Sequence, residues 1–201
     1  MRRITKAKIE TMAKLERVQL ATSLTGPKPI CLVGTMDSSG QRNLAPFSSV
    51  VHYGSNPALL GLVTRPDTVE RHTLSNIREL GCYTLNHLHP EILEQGHQCG
   101  ARYPRDVSEF DATGLTPIES DGFVSVSESR LRIGLRLAEE IPIEINATRL
   151  ILGTVEWVEV AADALQPDGS IDLEALEVVA STALDTYFRV TQIARLPYAK
   201  V

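Results

Sequence analysis

The stretch Asn43-Leu44-Ala45-Pro46-Phe47-Ser48-Ser49-Val50-Val51 sets a proline inside a strand-like apolar run and places two hydroxyls directly after it. Proline has no N–H to give a ladder, so it belongs at a sheet edge or a bulge. Two readings stay open from these residues. One is a proline at a sheet corner followed by surface serines. The other is an irregular edge whose free backbone N–H and C=O groups receive a flat heterocycle beside Ser48 and Ser49. A second segment, Thr64-Arg65-Pro66-Asp67-Thr68-Val69-Glu70-Arg71-His72-Thr73-Leu74-Ser75-Asn76-Ile77, ends a strand at Thr64-Arg65 and starts a helix two or three residues later. The first turn of a helix offers unpaired N–H groups and a partial positive charge, which suits a phosphate. Arg65 and Arg71 add formal charge in a shape that grips phosphate by two parallel bonds. Thr73 and Asn76 add neutral hydrogen-bonding groups, or else form the solvent face of an amphipathic helix.

Other residue types compete for attention. Cys82, His87, His89, His97 and Cys99 put five ligand-type side chains within 18 positions. Thiolate with imidazole is zinc-like chemistry, but the spacing lacks the usual close cysteine pair. No metal site is assigned, and of these residues His97 is the one placed toward a ligand pocket. Arg130, Arg132 and Arg136 form a cationic row on one strand face, read as a solvated, ion-paired surface before an anion site. Trp157 is read as packing. Neither Ser48 nor Ser49 sits in a G-x-S-x-G turn, which argues against a serine hydrolase. The chain carries no P-loop and no G-x-G-x-x-G, so no Rossmann-type nicotinamide site is expected.

These residues need elements to hold them. Residues 6–24 read as an amphipathic N-terminal helix through Ile9, Met12, Ala13, Leu15 and Leu20. After Gly26-Pro27 comes a strand, Ile30–Met36, and the turn Asp37-Ser38-Ser39-Gly40 folds the chain back into Asn43–Tyr53 as a hairpin. Ala58–Thr64 is a third strand. Asp67 or Thr68 caps a helix that runs to Leu80 on the stripe Val69, Leu74, Ile77 and Leu80, with Gly81 as its stop. Tyr83–Leu88 is a fourth strand, and a short helix falls near 90–98. Leu131, Ile133, Leu135 and Leu137 alternate with Arg130, Arg132, Gly134 and Arg136, a period of two over Ser129–Leu137. Ile143–Asn146 and Leu150–Val160 continue the β pattern. After the turn Pro167-Asp168-Gly169, a closing helix is predicted at about 172–187, on Leu173, Leu176, Val179, Ala180, Ala183, Leu184 and Tyr187. The sum is an α+β, mainly β, or small-barrel architecture with helices between and around the strands, not a doubly wound parallel sheet.

Composition narrows the classes. The 201 residues are 43% hydrophobic and 22% charged, an ordinary globular balance that fits one domain over 1–201. Twenty Lys and Arg against 25 Asp and Glu leave a net charge of −5, which disfavours wholesale binding to a nucleic-acid backbone. Apolar runs stop well short of the ~20 residues of a membrane span. The basic start Met1–Arg17 lacks the apolar stretch of a signal peptide. Three cysteines (31, 82 and 99) without a C-x-x-C fit reduced thiols, and the expected location is the cytoplasm.

Taken in order, NLAPFSS (43–49), RHTLSNI (71–77), Gly81, Tyr83-Thr84-Leu85-Asn86, Gly100-Ala101-Arg102-Tyr103, Ser108-Glu109-Phe110, Leu152-Gly153-Thr154-Val155 and the Tyr187 region resemble the flavin reductase-like family of FMN-binding split barrels. The similarity covers most of residues 28–198. It implies a six-stranded antiparallel split barrel, a homodimer, and FMN at the subunit interface. Carried across, it places Ala45, Pro46, Phe47, Ser48, Ser49 and Val50 alongside the isoalloxazine, with both serines nearest the ribityl or phosphate. Thr64, Arg65, Thr73 and Asn76 fall at the phosphate end. The loop 100–110, with Ala101 and Tyr103, borders the flavin from the same or the partner subunit. Two departures stand out. His72 occupies a position that is often acidic in the family. The Asp-His pair that many free-flavin reductases carry before the Leu-Gly strand is replaced by Asn146-Ala147-Thr148-Arg149-Leu150. The resemblance thus implies an FMN-dependent oxidoreductase with NADH or NADPH as donor. The alternative is an FMN-binding electron-transfer or partner protein without nicotinamide turnover, and a zinc-site protein is the third reading.

Overall fold

The computed structural model describes residues 1–66, 71–183 and 185–200. A pair of short helices, α1 (Lys6–Glu10) and α2 (Lys14–Ser23), leads into β1 (Lys28–Pro29), β2 (Cys31–Met36), β3 (Arg42–Phe47), β4 (Val50–Ser55) and β5 (Ala58–Thr64). Then come α3 (His72–Leu80), β6 (Cys82–His87), a short 3-10 turn with α4 (Leu93–Gln98), and α5 (Glu109–Thr113). The chain continues through β7 (Pro117–Ser120), β8 (Phe123–Val126), β9 (Leu131–Ile143), β10 (Thr148–Val160), β11 (Val179–Thr182) and β12 (Thr186–Arg189).

Seven strands form the main sheet in the order β3-β2-β6-β9-β10-β5-β4, all neighbours antiparallel, where the resemblance implied six. Its two ends, β3 and β4, are joined by Ser48-Ser49 alone. A link that short spans at most roughly 11 Å. The sheet therefore curls until its ends almost meet, and the barrel is split along the line that Ser48-Ser49 crosses. Asn43–Tyr53 is accordingly two strands, not one. The break is held by Ser49, whose hydroxyl donates to the Val63 carbonyl at 2.7 Å and whose own carbonyl accepts the Val63 N–H at 3.4 Å.

The core lies on both sides of the curled sheet. Cys31, Val33, Leu62, Tyr83, Leu85, Leu135 and Ile151 pack inside, with Leu74 and Ile77 of α3. Leu32, Leu44, Val124, Val126, Cys99 and Phe110 pack outside, beneath α4, α5 and β8. The period-two reading of β9 is met at Leu131 and Leu135, both buried. The arginines of its row are paired: Arg130 with Glu177 and Glu91, Arg132 with Glu159, and Arg136 with Glu156. Trp157 packs edge-on against Phe123.

Helix α3 ends as its sequence requires. Gly81 takes the left-handed conformation (φ 68°), and its N–H donates to the Ile77 carbonyl at 2.9 Å. The proposed caps Asp67 and Thr68, and Val69 of the stripe, lie outside the described residues, as does Leu184.

Three expectations are corrected. The N-terminal helix 6–24 is two helices, broken at residues 11–13. Neither buries a residue, so no packing carries the helix through Ala13, which is extended. Ile143 ends β9, and 144–147 is a turn in which the Asn146 side chain accepts from the Thr148 N–H and hydroxyl. The closing helix 172–187 is absent. Asp172 caps a single turn, Glu177 (φ 51°) and Ala183 (φ 53°) adopt left-handed backbone that no helix continues through, and the apolar run pairs as β11 between β1 and β12.

The turn between β2 and β3 is built on Asp37, whose Oδ1 accepts from the Ser39 hydroxyl at 2.6 Å and from the N–H groups of Ser39 and Gln41. The Ser39 hydroxyl, ahead of the two N–H groups and Arg105, holds this carboxyl below its ordinary 3.8 against the opposing effect of burial. A depressed folded pKa stabilises the native state above 3.8, and that contribution is lost as pH falls through the lower folded value. Denaturant midpoints followed into acid should fall more steeply for the wild type than for Asp37→Asn. Parallel curves would show that Asp37 carries no linked stability.

Candidate functional site

Where β3 ends and β5 ends, the barrel brings together segments that the sequence keeps apart. The Ser49–Val63 bonds put Ser48-Ser49 next to Thr64-Arg65. Ala45, Pro46, Phe47, Ser48, Ser49 and Val50 are all half-buried along this line. Ser49's hydroxyl donates to backbone, whereas Ser48's has no partner among the described residues. Arg65 is exposed and makes no ion pair among the described residues.

Helix α3 packs on β2 and β3, and beneath its first turn lies a buried polar network. Asn43 donates to Thr73 Oγ1 at 2.9 Å and to Thr35 Oγ1 at 3.2 Å, and Asn76 donates to Thr35 Oγ1 at 3.2 Å. Thr64 Oγ1, Arg71 Nε and Asn76 Oδ1 belong to the buried polar atoms that have no partner among the described residues. A buried polar group without a partner costs about 1–3 kcal/mol, so each of these atoms is a point at which a polar ligand can restore a missing bond. Thr35 Oγ1 as assigned accepts two amide N–H bonds. Turning the Asn76 amide over lets the Thr35 hydroxyl donate to Asn76 Oδ1 and frees an N–H for a ligand oxygen.

His72 is half-buried and lines a small polar cavity with Asp37, Asn43, Asn76, Arg105 and Glu109. Glu109 is buried, at 6% exposure, and its Oε2 accepts the Leu44 N–H of β3 at 2.8 Å. Burial pushes the Glu109 carboxyl up, an effect partly offset by the Leu44 N–H and the charge of His72.

The 100–110 loop closes the other side of β3. A Cβ on Gly100 would lie 3.3 Å from Pro46 Cγ, which places the end of α4 against the proline. Ala101 is exposed, and the half-buried Tyr103 accepts from Gln98 Nε2 at 3.1 Å.

The five residues of zinc-ligand type do not converge, and among the described residues no three His, Cys, Asp or Glu side chains gather as a metal site. Cys82 donates to the Gly122 carbonyl and His89 to the Glu128 carbonyl, while His97 shares a 2.7 Å bond with the Tyr187 hydroxyl. Burial pushes His87 down to about 4 and Cys99 up to about 11, so both are neutral near pH 7.

Sequence reasoning named Asn43 and Glu109 only as parts of motifs and did not name Thr35. A polar residue inside the otherwise apolar strand 31–36 was the available signal for Thr35. Glu109 had none, because its burial comes from α5 folding onto a strand 65 positions away.

Comparison with known proteins identifies the family of the fold. The model of the flavin reductase like domain matches residues 24–174. A crystal structure of a candidate flavin reductase with a split barrel domain from Shewanella frigidimarina is 43% identical, with a TM-score of 0.94 over 99% of this chain and 100% of that one. Nitrilotriacetate monooxygenase component B from Bacillus cereus is 25% identical, with a TM-score of 0.84 over 98% of each chain. An uncharacterised protein of Halalkalibacterium halodurans is 30% identical over 89% of this chain and 88% of its own length. Among the described residues, no helix is long and apolar enough to cross a membrane. The chain belongs to the flavin reductase-like family, with the split-barrel fold and the flavin-linked oxidoreductase chemistry of that family.

Proposed function

We propose that the protein binds FMN across the split of its barrel and works as an FMN-dependent oxidoreductase that accepts electrons from NADH or NADPH. The observation that carries this is a set of buried polar atoms without a partner among the described residues: Thr64 Oγ1 at the end of β5, next to the Ser49–Val63 tie, and Arg71 Nε and Asn76 Oδ1 at the N-cap and in the body of α3. Arg65, Arg71, Thr73 and Asn76 hold the phosphate, with Thr64 and His72 beside them. The strand Ala45–Val50 supports the ring system, and Ala101 and Tyr103 border it. When bound, FMN supplies the two-electron chemistry, and the protein supplies binding, orientation and shielding from water. No side chain is assigned as general acid or base.

A homodimer accompanies this reading. Val51 and Tyr53, each 53% exposed on the end strand β4, give the apolar surface that supports it. The chain acts as one domain in the cytoplasm, with no nucleic-acid or membrane partner.

A second reading has its own support. The segment Asn146–Leu150 carries no Asp-His pair and runs from an exposed turn into the half-buried start of β10, which favours an FMN protein that passes electrons without nicotinamide turnover. Anaerobic mixing of the FMN-loaded protein with NADH and with NADPH separates the two. Bleaching of the flavin absorbance by either donor is expected, and none with either donor overturns the oxidoreductase reading in favour of the second.

A further inference from the structure

β3 is an end strand, so one side of its backbone has no strand partner. Its outward side can be identified from a single bond. The Leu44 N–H leaves the sheet to meet Glu109, and backbone direction alternates along an antiparallel strand. Arg42, Leu44 and Pro46 therefore present their backbone groups to the open side, while Asn43, Ala45 and Phe47 present theirs to β2. An ordinary open edge offers N–H and C=O groups in turn, and a second strand can pair with it. This one does not. The Leu44 N–H is taken by a buried carboxylate at 2.8 Å, and Pro46 has no N–H. What remains near the junction is the Pro46 carbonyl, an acceptor without a neighbouring donor.

We propose that Glu109 is a positioning and specificity residue. By occupying the Leu44 N–H it fixes the junction end of β3 and leaves the stretch from Leu44 to Pro46 with outward backbone acceptors and no free outward donor, which selects a ring ligand through a ring N–H donor. In a flavin that donor is the imide N–H at N3. The inference rests on the flavin reading above and extends it to a residue outside the phosphate and ring sites. That stretch is a poor template for a further strand, because such a strand needs donors as well as acceptors. The burial of Glu109 fits the role. Removing a carboxylate from water is costly unless its oxygens find donors, and the Leu44 N–H is the donor supplied.

Three measurements test it, none requiring turnover. Amide hydrogen exchange at Leu44 reads the clamp without any ligand: protection is expected in the wild type, loss of at least tenfold in Glu109→Ala, and substantial recovery in Glu109→Gln, which keeps a carbonyl acceptor. Fluorescence titration with riboflavin and N3-methylriboflavin reads the edge, and methylation should weaken binding at least tenfold in the wild type and in Glu109→Gln. The third measurement is that ratio in Glu109→Ala, which should fall below the wild-type value because the unclamped edge no longer holds the Pro46 carbonyl in place for the ring N–H. Uptake of riboflavin with no loss on N3-methylation overturns the inference and leaves the flavin reading standing. Failure of the wild type to take up any flavin overturns both. Unchanged Leu44 exchange in Glu109→Ala removes the clamp itself.

Discussion

Gly34→Ala is expected to destabilise the protein by about 3 kcal/mol, from the usual cost of overpacking a core plus the loss of one buried hydrogen bond. Gly34 sits in β2 between β3 and β6. A methyl group there would land on the Val124 carbonyl oxygen and lie 2.6 Å from Thr84 Oγ1. Neither atom is free to move. The Thr84 hydroxyl donates to that same carbonyl at 2.6 Å, and Asn86 Nδ2 donates to Thr84 Oγ1 at 2.8 Å. Asn86 Oδ1 in turn accepts the Val126 N–H, so the clash reaches the whole attachment of β8 to the barrel. For a chain of this size the loss corresponds to roughly 6–12 °C in melting temperature. Thermal unfolding followed by circular dichroism checks it. A shift within a degree of wild type would mean that β8 does not bear on Gly34.

Arg65→Ala is expected to weaken FMN binding more than tenfold while leaving riboflavin binding nearly unchanged. Arg65 lies directly after β5, beside the junction that Ser49 ties to Val63, and makes no ion pair among the described residues. In the proposed site its charge meets the phosphate, the one group that distinguishes FMN from riboflavin. A charge-assisted hydrogen bond is worth about 1.5–3 kcal/mol, which sets the tenfold floor. Because the guanidinium is exposed, its stem supports no core and the variant should fold normally. Parallel titrations with the two flavins decide the matter. Equal weakening of both would place Arg65 away from the phosphate, and no weakening would place it outside the site.

Elements whose signals are local were readable in the sequence. The bounds of β5, Ala58–Thr64, follow from a short apolar run with turn residues on both sides, and the stop of α3 follows from Gly81 alone. The turn at Asp37–Gly40 was likewise visible in its residue types. The closing helix was not, because Leu173, Leu176, Val179 and Ala180 are spaced as a helical stripe. What decides their fate is a partner far away: Lys28-Pro29 pairs with Ala180 and Ser181 across about 150 positions. Periodicity cannot report such a partner.

The site divides in the same way. Pro46 announced an edge, and the barrel places it on one. Thr73 and Asn76 were named for their hydrogen-bonding groups, and both prove buried, tied through Asn43 and Thr35 into one network. That network could not be read in advance, since it joins β2, β3 and α3 only after the sheet has curled. His72, the departure from the family pattern, lines the same small cavity as the buried Glu109, and this nearness of an imidazole to a buried carboxylate is likewise a product of the fold.

The central claim, that the split of the barrel holds FMN, meets its most direct test in a titration of the purified protein with FMN, followed by flavin fluorescence and the visible spectrum. Saturable uptake of one FMN per chain, with a perturbed absorption band that survives gel filtration, is the expected result. A protein that remains colourless and leaves the fluorescence of added FMN unchanged would contradict it.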